Sequence, residues 1–282
     1  MARIQREGIA EQITKQIRDQ IHAGKLRHGQ ALPSTRKYAE EWGVSLNTIN
    51  NALAPLMAEG LIVSRDRSGR TVNAPGQSQA SEETRMPKLA VPQLVLVGGY
   101  AGSGKTELGR MLGRLTGWAI LDKDTTTRPV VEAALEMLGI LPSDREGETY
   151  TKVVRPAEYE SLMNAVTENI ECGVSVVATA PFAKELKDQA WLDRLDAQCR
   201  ALPANLTIVW VSCDADSMRS YIKHRGAARD SWKLTHWDDY LASIDLDFEP
   251  PHDYVRVDNS LGSRPLHDQA SDLVARIQRQ AS

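Results

Sequence analysis

The chain has 282 residues, which is comfortable for two domains and long for one small one. A hydrophobic content of 41% and a charged content of 25% describe an ordinary globular protein, and no apolar run approaches the roughly 20 residues of a membrane span. The net charge of −3 hides an asymmetry: residues 1–75 hold 11 Lys and Arg against 7 Asp and Glu, so a basic first part precedes an acidic remainder.

The opening residues Met1-Ala2-Arg3-Ile4-Gln5-Arg6 lack the apolar core of a signal peptide, so a cytoplasmic protein with no membrane partner is expected. Ile9, Ile13, Ile17 and Ile21 recur every four residues and make one apolar stripe on a helix that ends at Gly24. Leu32-Pro33-Ser34 then presents a helix start with Ser34 as cap, and Gly43 stops that helix. Ser45 caps a third helix carrying Ile49, Leu53, Leu56 and Met57, and Gly60 closes it. Two short helices joined by a tight glycine turn form a helix-turn-helix. Leu61–Ser64 and Thr71–Asn73 flank the polar turn 65–70 as a hairpin would, which completes a winged helix.

The residues Gly24-Lys25-Leu26, Leu32-Pro33-Ser34-Thr35-Arg36, Gly43-Val44-Ser45, Thr48, Ala52-Leu53, Glu59-Gly60-Leu61-Ile62 and Gly69-Arg70-Thr71-Val72 stand in register with a known pattern. On them, residues 8–74 resemble the GntR family of bacterial transcription regulators. The resemblance implies a homodimer on double-stranded operator DNA, with the third helix in the major groove. It places Ser34 and Arg36 at phosphates, with Lys37 among the DNA-binding residues, Arg70 of the wing at the backbone or minor groove, and Ser45, Asn47, Thr48, Asn50 and Asn51 facing the groove. The usual pattern has arginines where this chain has Leu46 and Asn50. Arginine reads guanine and asparagine suits adenine, so the operator should differ from the usual half-site.

Residues 76–92 are rich in Ser, Gln, Pro and Ala without an apolar period, and read as a linker between a domain at 1–75 and one at 93–282. In the second part, candidate strands at 94–97, 118–121, 174–178, 206–211 and 254–257 alternate with helical stretches. The expected architecture is therefore two-domain α/β, a winged helix plus a three-layer α/β domain with a mainly parallel sheet. Cys172, Cys199 and Cys213 form no CxxC pair and are expected to be small buried thiols.

Gly99-Tyr100-Ala101-Gly102-Ser103-Gly104-Lys105-Thr106 is a complete GxxxxGK[ST] loop between an apolar strand and a helix. Gly99, Ala101, Gly102, Ser103 and Gly104 let backbone N–H groups surround a phosphate, Lys105 reaches the outer phosphates, and Thr106 binds Mg²⁺. The implied ligands are ATP or another purine nucleotide and Mg²⁺. Asp122 and Asp124 follow the second strand, where a carboxylate can hold Mg²⁺ or accept a proton from a substrate hydroxyl. Asp122 is assigned to the metal, and Asp124 is left open between a helix cap and a catalytic base. The third strand ends Val177-Ala178-Thr179-Ala180, with no aspartate where a Walker B carboxylate is expected.

Taken with Arg225 and Arg229 after the fourth strand and Asn259 after the fifth, this pattern makes residues 93–280 resemble the small-molecule P-loop kinases, such as gluconate kinase, chloramphenicol phosphotransferase and the zeta toxins. The resemblance implies a lid in which Arg225 and Arg229 stabilise the transferring phosphoryl group, and an adenine site beside Asn259. Segments 139–157 and 226–250, with Trp232, His236 and Trp237, are candidates for the pocket of a second small-molecule ligand. Three functions follow: a regulator whose operator binding is set by nucleotide, a kinase that also regulates its own operon, and a toxin-like kinase fused to its regulator.

Overall fold

The computed structural model describes residues 2–65, 69–75, 89–227 and 230–281. The head consists of α1 (Ala2–His22), α2 (Thr35–Trp42), α3 (Leu46–Ala58) and the antiparallel pair β1 (Ile62–Arg65) and β2 (Gly69–Val72). Ser34 and Ser45 cap α2 and α3, accepting hydrogen bonds from the Lys37 and Thr48 backbone N–H groups, as their side-chain chemistry dictates. Ile13, Ile17 and Ile21 of α1 are fully buried and meet Ile49, Leu53 and Leu56 of α3 in one apolar core. Buried Thr14 bonds across that seam, its Oγ1 donating to the Ala52 carbonyl at 2.7 Å.

The second domain is built on β3 (Gln93–Gly98), β4 (Ala119–Asp122), β5 (Val176–Thr179), β6 (Asn205–Ser212) and β7 (Tyr254–Asp258), in the order β4-β5-β3-β6-β7 with every pair parallel. A parallel sheet is covered on both faces, and β3 accordingly reads as a continuous apolar run. Its Leu94 and Leu96 face a core completed by α6 (Arg155–Glu171) and α7 (Gln189–Ala201). Its Val95 and Val97 face the opposite core, made with α4 (Lys105–Thr116) and α11 (Leu266–Ala281). The chain leaves β3 toward β4 on one side and later returns to β6 on the other, so β3 stands at the switch point where ligands of such sheets bind.

All five expected strands are present within two residues of their expected bounds. Elsewhere the structure differs. The helix after β4, α5 (Lys123–Met137), is capped by Asp122 and not by Asp124: Asp122 Oδ1 accepts from the Thr125 N–H at 2.9 Å. Pro129 lies inside that helix. A π-helical turn at Tyr150–Val154 runs directly into α6. Two short helices, α9 (Ser231–Thr235) and α10 (Trp237–Ala242), follow α8 (Ala215–Arg225), and their length leaves no readable period. Cys199 and Cys213 are buried as expected, whereas Cys172, at the exposed end of α6, is not. Among the described residues no helix is long and apolar enough to cross a membrane.

The two domains share a boundary rather than a bare tether. Ala23, just past α1, is buried in the core of the second domain among Val95, Leu108 and Leu273. Its carbonyl accepts from Arg110 Nε of α4 at 3.0 Å. Lys25 pairs with Glu107 of α4. The His22 and His267 rings stack with centroids 4.2 Å apart, and Trp42 stacks on His224 at 3.4 Å.

Candidate functional site

The phosphate loop connects β3 to α4 at the carboxyl edge of the sheet. Its glycines are required by shape. Gly99 has φ +148°, and a Cβ there would sit 2.6 Å from the Val211 carbonyl oxygen; Gly102 has φ +84° and would meet the Met218 carbonyl oxygen at 2.9 Å. Lys105 Nζ donates to the Tyr100 carbonyl at 2.9 Å within the loop. Burial, reinforced by the nearby Arg225 charge, pushes the Lys105 ammonium down to about 8. Ser103 is fully buried and its hydroxyl has no hydrogen-bond partner. An unpartnered buried polar group costs about 1–3 kcal/mol, which a phosphate oxygen accepting from that hydroxyl would recover.

β5 ends without a carboxylate, and the neighbouring strand β4 ends on one, Asp122. Asp122 and Thr179 are register partners at the ends of β4 and β5. Asp122 Oδ2 accepts from Thr179 Oγ1 at 2.6 Å and from Thr106 Oγ1 at 3.0 Å. A hydroxyl and one carboxylate beside a phosphate loop are hard oxygen donors of the kind Mg²⁺ uses when phosphate and water complete its shell. Thr106 and Asp122 therefore fit the ion. Among the described residues no group of three or more His, Cys, Asp or Glu side chains is arranged to hold a metal on its own.

Two cavities meet at Lys105, Thr106 and Arg225. One, of about 250 Å³, opens beyond the outer end of the loop and is lined by Ala101, Asp122, Asp124, Arg145, Tyr150, Arg155, Lys184, Asp230 and Lys233. The other, of about 340 Å³, runs along the loop's other side to Tyr221 and Asn259 and is closed by Gln16, Asp19, Gln20 and Lys25 of the head. Asn259 is joined to the loop directly, its Nδ2 donating to the Ser103 carbonyl at 3.0 Å, while its buried Oδ1 has no partner.

Asp124 projects into the first cavity, 3.1 Å from Lys123 Nζ, and it is Asp122 rather than Asp124 that caps α5. Lys123 is almost fully buried, and its Nζ is 2.9 Å from Glu158 Oε1. Glu158 also accepts from the Tyr150 hydroxyl at 2.7 Å and from Thr127 Oγ1 at 2.6 Å. This network fixes the floor of the cavity, and no sequence motif announces it, because its members lie up to 35 residues apart. Arg225 is held by the buried Asp230, with Nη2 to Oδ2 at 2.6 Å. Arg229 lies outside the described residues. The expected aromatic pocket takes a different form: Trp237 is buried against Tyr240 and under Arg219, and Trp232 stacks on His236, so the 226–250 segment contributes Asp230 and Lys233 to the cavity instead.

In the head, Asn47, Asn50 and Asn51 are exposed along α3, and Arg36 and Lys37 are exposed on α2. Thr48 is buried, its hydroxyl 2.8 Å from that of Ser45, so both belong to the cap of α3 as well as to its leading edge. Arg70 reaches from the wing to Thr35 Oγ1 at 2.8 Å and to Asn50 Oδ1 at 3.2 Å. It thus links α2, α3 and the wing. Sequence reading missed the polar face of α1 altogether; the only hint was the i,i+4 spacing of Lys15 and Asp19.

Comparison with known proteins accounts for both halves. Residues 9–72 match the family of bacterial regulatory proteins of the gntR type. Residues 94–246, more than half of the chain, match the AAA domain family. The HTH-type transcriptional repressor NagR of Bacillus subtilis is 41% identical over 69 residues, 24% of this chain and 28% of that protein. The HTH-type transcriptional regulator Mce2R of Mycobacterium tuberculosis is 36% identical over 69 residues, 24% of this chain and 29% of that protein. The chain thus spans less than a third of these curated relatives. A solved structure of a candidate kinase from Chloroflexus aurantiacus superposes with a TM-score of 0.50 at 19% identity, over 66% of this chain and 98% of that one. That likeness concerns the fold of the second part.

Proposed function

The chain belongs to the AAA domain family over its larger part and carries a gntR-family head, and from that premise we propose that it is a cytoplasmic transcription regulator whose operator binding is modulated by ATP or a related purine nucleotide held with Mg²⁺. The functional units are residues 1–75 for DNA and 93–282 for nucleotide. Two copies bind a double-stranded operator, each placing α3 in the major groove, with Asn47, Asn50 and Asn51 toward the bases and Arg36 and Lys37 at phosphates.

One observation carries the coupling. Glu107, two residues beyond the phosphate-binding lysine, holds Lys25 of the head, and Arg110 on the same helix holds the Ala23 carbonyl. Phosphate arriving at the N-terminus of α4 acts on the helix that anchors the head. A ligand shifts such an arrangement only by its differential affinity for the two states. Gel-shift titration of an operator fragment with MgATP and MgADP tests the reading; an operator affinity indifferent to both would sink it.

The second reading is a small-molecule kinase that also regulates its own operon, and the cavity beyond the loop favours it. Arg145, Arg155, Lys184 and Lys233 suit an anionic acceptor, and Asp124 stands where it could take a hydroxyl proton. Thr106 and Asp122 would hold the Mg²⁺ that neutralises phosphate charge. ATP turnover lost in Asp124→Asn with nucleotide binding retained would support this reading.

A further inference from the structure

α1 has two faces that answer to different domains. Ile13, Ile17 and Ile21 enter the core of the head. Lys15, Gln16 and Asp19 point elsewhere, yet they are only 7%, 8% and 6% exposed. What covers them is the second domain, and between the two lies the 340 Å³ cavity that runs from Lys105 along the phosphate loop to Tyr221 and Asn259. A docking surface that served packing alone would be apolar or fully paired. This one is neither. Gln16 Nε2 is buried without a hydrogen-bond partner, and Asn259 Oδ1 is unpartnered on the opposite wall. Asp19 has Lys15 at 3.7 Å, beyond hydrogen-bond distance, and burial raises its carboxyl to about 6.

We propose that the nucleoside half of a bound nucleotide lies between the two domains, with its base read by Gln16 and Asp19 of the DNA-binding head. This rests on the reading that the second domain binds a nucleotide. The cavity is of the size that small-ligand sites have, about 300 Å³ and upward, and it meets the phosphate loop at Lys105, so a nucleoside there is continuous with phosphates on the loop. The chemistry of the walls suits a purine. The Gln16 amide offers a donor to a ring nitrogen, and the Asp19 carboxylate accepts from an exocyclic amine. Asn259 Oδ1 accepts from a ribose hydroxyl or a second amine hydrogen. The nucleotide then touches head and body at once and acts as a bolt between them, while Asn47, Asn50 and Asn51 of the head stay exposed. Coupling of this kind is reciprocal: operator DNA changes nucleotide affinity by the same factor as nucleotide changes operator affinity.

The experiment uses the full chain. MgATP and MgGTP affinities are measured by calorimetry for the wild type and for Lys105→Ala, Gln16→Ala and Asp19→Asn, and an azido-adenosine triphosphate is photolysed on the wild type and its adduct mapped by peptide. Gln16→Ala and Asp19→Asn are each expected to weaken binding by about fivefold to tenfold, the size of a lost hydrogen bond, and to change the ATP-to-GTP ratio. The adduct is expected on residues 16–25. Wild-type affinities in both α1 variants, with the adduct elsewhere and Lys105→Ala defective, would overturn this inference and leave the nucleotide reading standing. No nucleotide binding by the wild type would overturn both. The photolabelling requires no substitution, so it decides the matter even if an α1 variant fails to fold.

Discussion

Lys25, three residues past the first helix of the DNA-binding head, forms an ion pair with Glu107, on the first turn of the helix that the phosphate loop caps. Those two residues are 82 positions apart in sequence and belong to different domains. The N-terminal turn of α4 and the anchor of the head are thus one piece of structure.

Breaking that pair should weaken communication between loop and head. At saturating nucleotide, so that any loss of affinity at these two cavity-lining residues does not enter, Lys25→Ala and Glu107→Gln are expected to shrink the change in operator affinity that nucleotide causes. The pair is partly exposed, so its coupling is on the order of 1 kcal/mol or less in a double-mutant cycle. The check is a gel shift with and without MgATP for the four members of the cycle.

Asp122 performs two tasks that one pair of substitutions can divide. Its Oδ1 caps α5, and its Oδ2 meets Thr106 and Thr179. Asn is as good a cap as Asp, so Asp122→Asn should melt near the wild type while losing the Mg²⁺-dependent part of nucleotide affinity. Asp122→Ala should lose that and about 1 kcal/mol of stability as well. Melting curves and calorimetry with and without Mg²⁺ distinguish the two.

The lowered Lys105 sets a pH dependence. In the free protein it loses its proton near pH 8, against 10.5 ordinarily, whereas bound phosphates favour the charged form. Nucleotide affinity is therefore steady below pH 8 and falls as pH rises above it, by up to about tenfold per pH unit. An affinity that rose, or stayed level, on going from neutral to alkaline pH would contradict the assignment of Lys105 to phosphate.

Two groups on α1 respond oppositely to acid. Burial, with the neighbouring His267 imidazole and Arg18, pushes His22 down to about 4 from 6.5, so its contribution to stability is present at neutral pH and is lost as pH falls from about 6.5 toward 4. Asp19 is raised to about 6 from 3.8, so its contribution is present in acid and is lost as pH rises toward 6. Relative to wild type, Asp19→Asn should lose melting temperature more steeply on acidification, and His22→Phe less steeply. Parallel curves for all three proteins would show that neither group titrates at the domain boundary.

Much of this architecture is legible in the sequence because its signals are local. The apolar period of β3, the eight residues of the phosphate loop and the serine caps of α2 and α3 each specify their structure within a few residues. The polar face of α1 is different. Periodicity finds the isoleucine stripe that packs within the head, but Gln16 and Asp19 are buried by a domain that begins some seventy residues later, and nothing near them encodes that. The same holds for Asp122 and Thr179: each strand end is readable, but only the parallel register sets the carboxylate between Thr179 and Thr106. Glu158, Tyr150 and Lys123 converge across a π-helical turn, Tyr150–Val154, that runs into α6, a feature without a sequence signature.

In the proposed function, nucleotide on the loop alters how the head meets DNA. Its most direct test is the affinity of the full-length protein for a DNA fragment selected by its own binding, with and without saturating MgATP, in the wild type and in Lys105→Ala. A change of about fivefold or more is expected in the wild type, the lower range of allosteric couplings, and none in the variant. Equal affinities in the wild type with and without nucleotide, under conditions where calorimetry shows the loop filled, would contradict it.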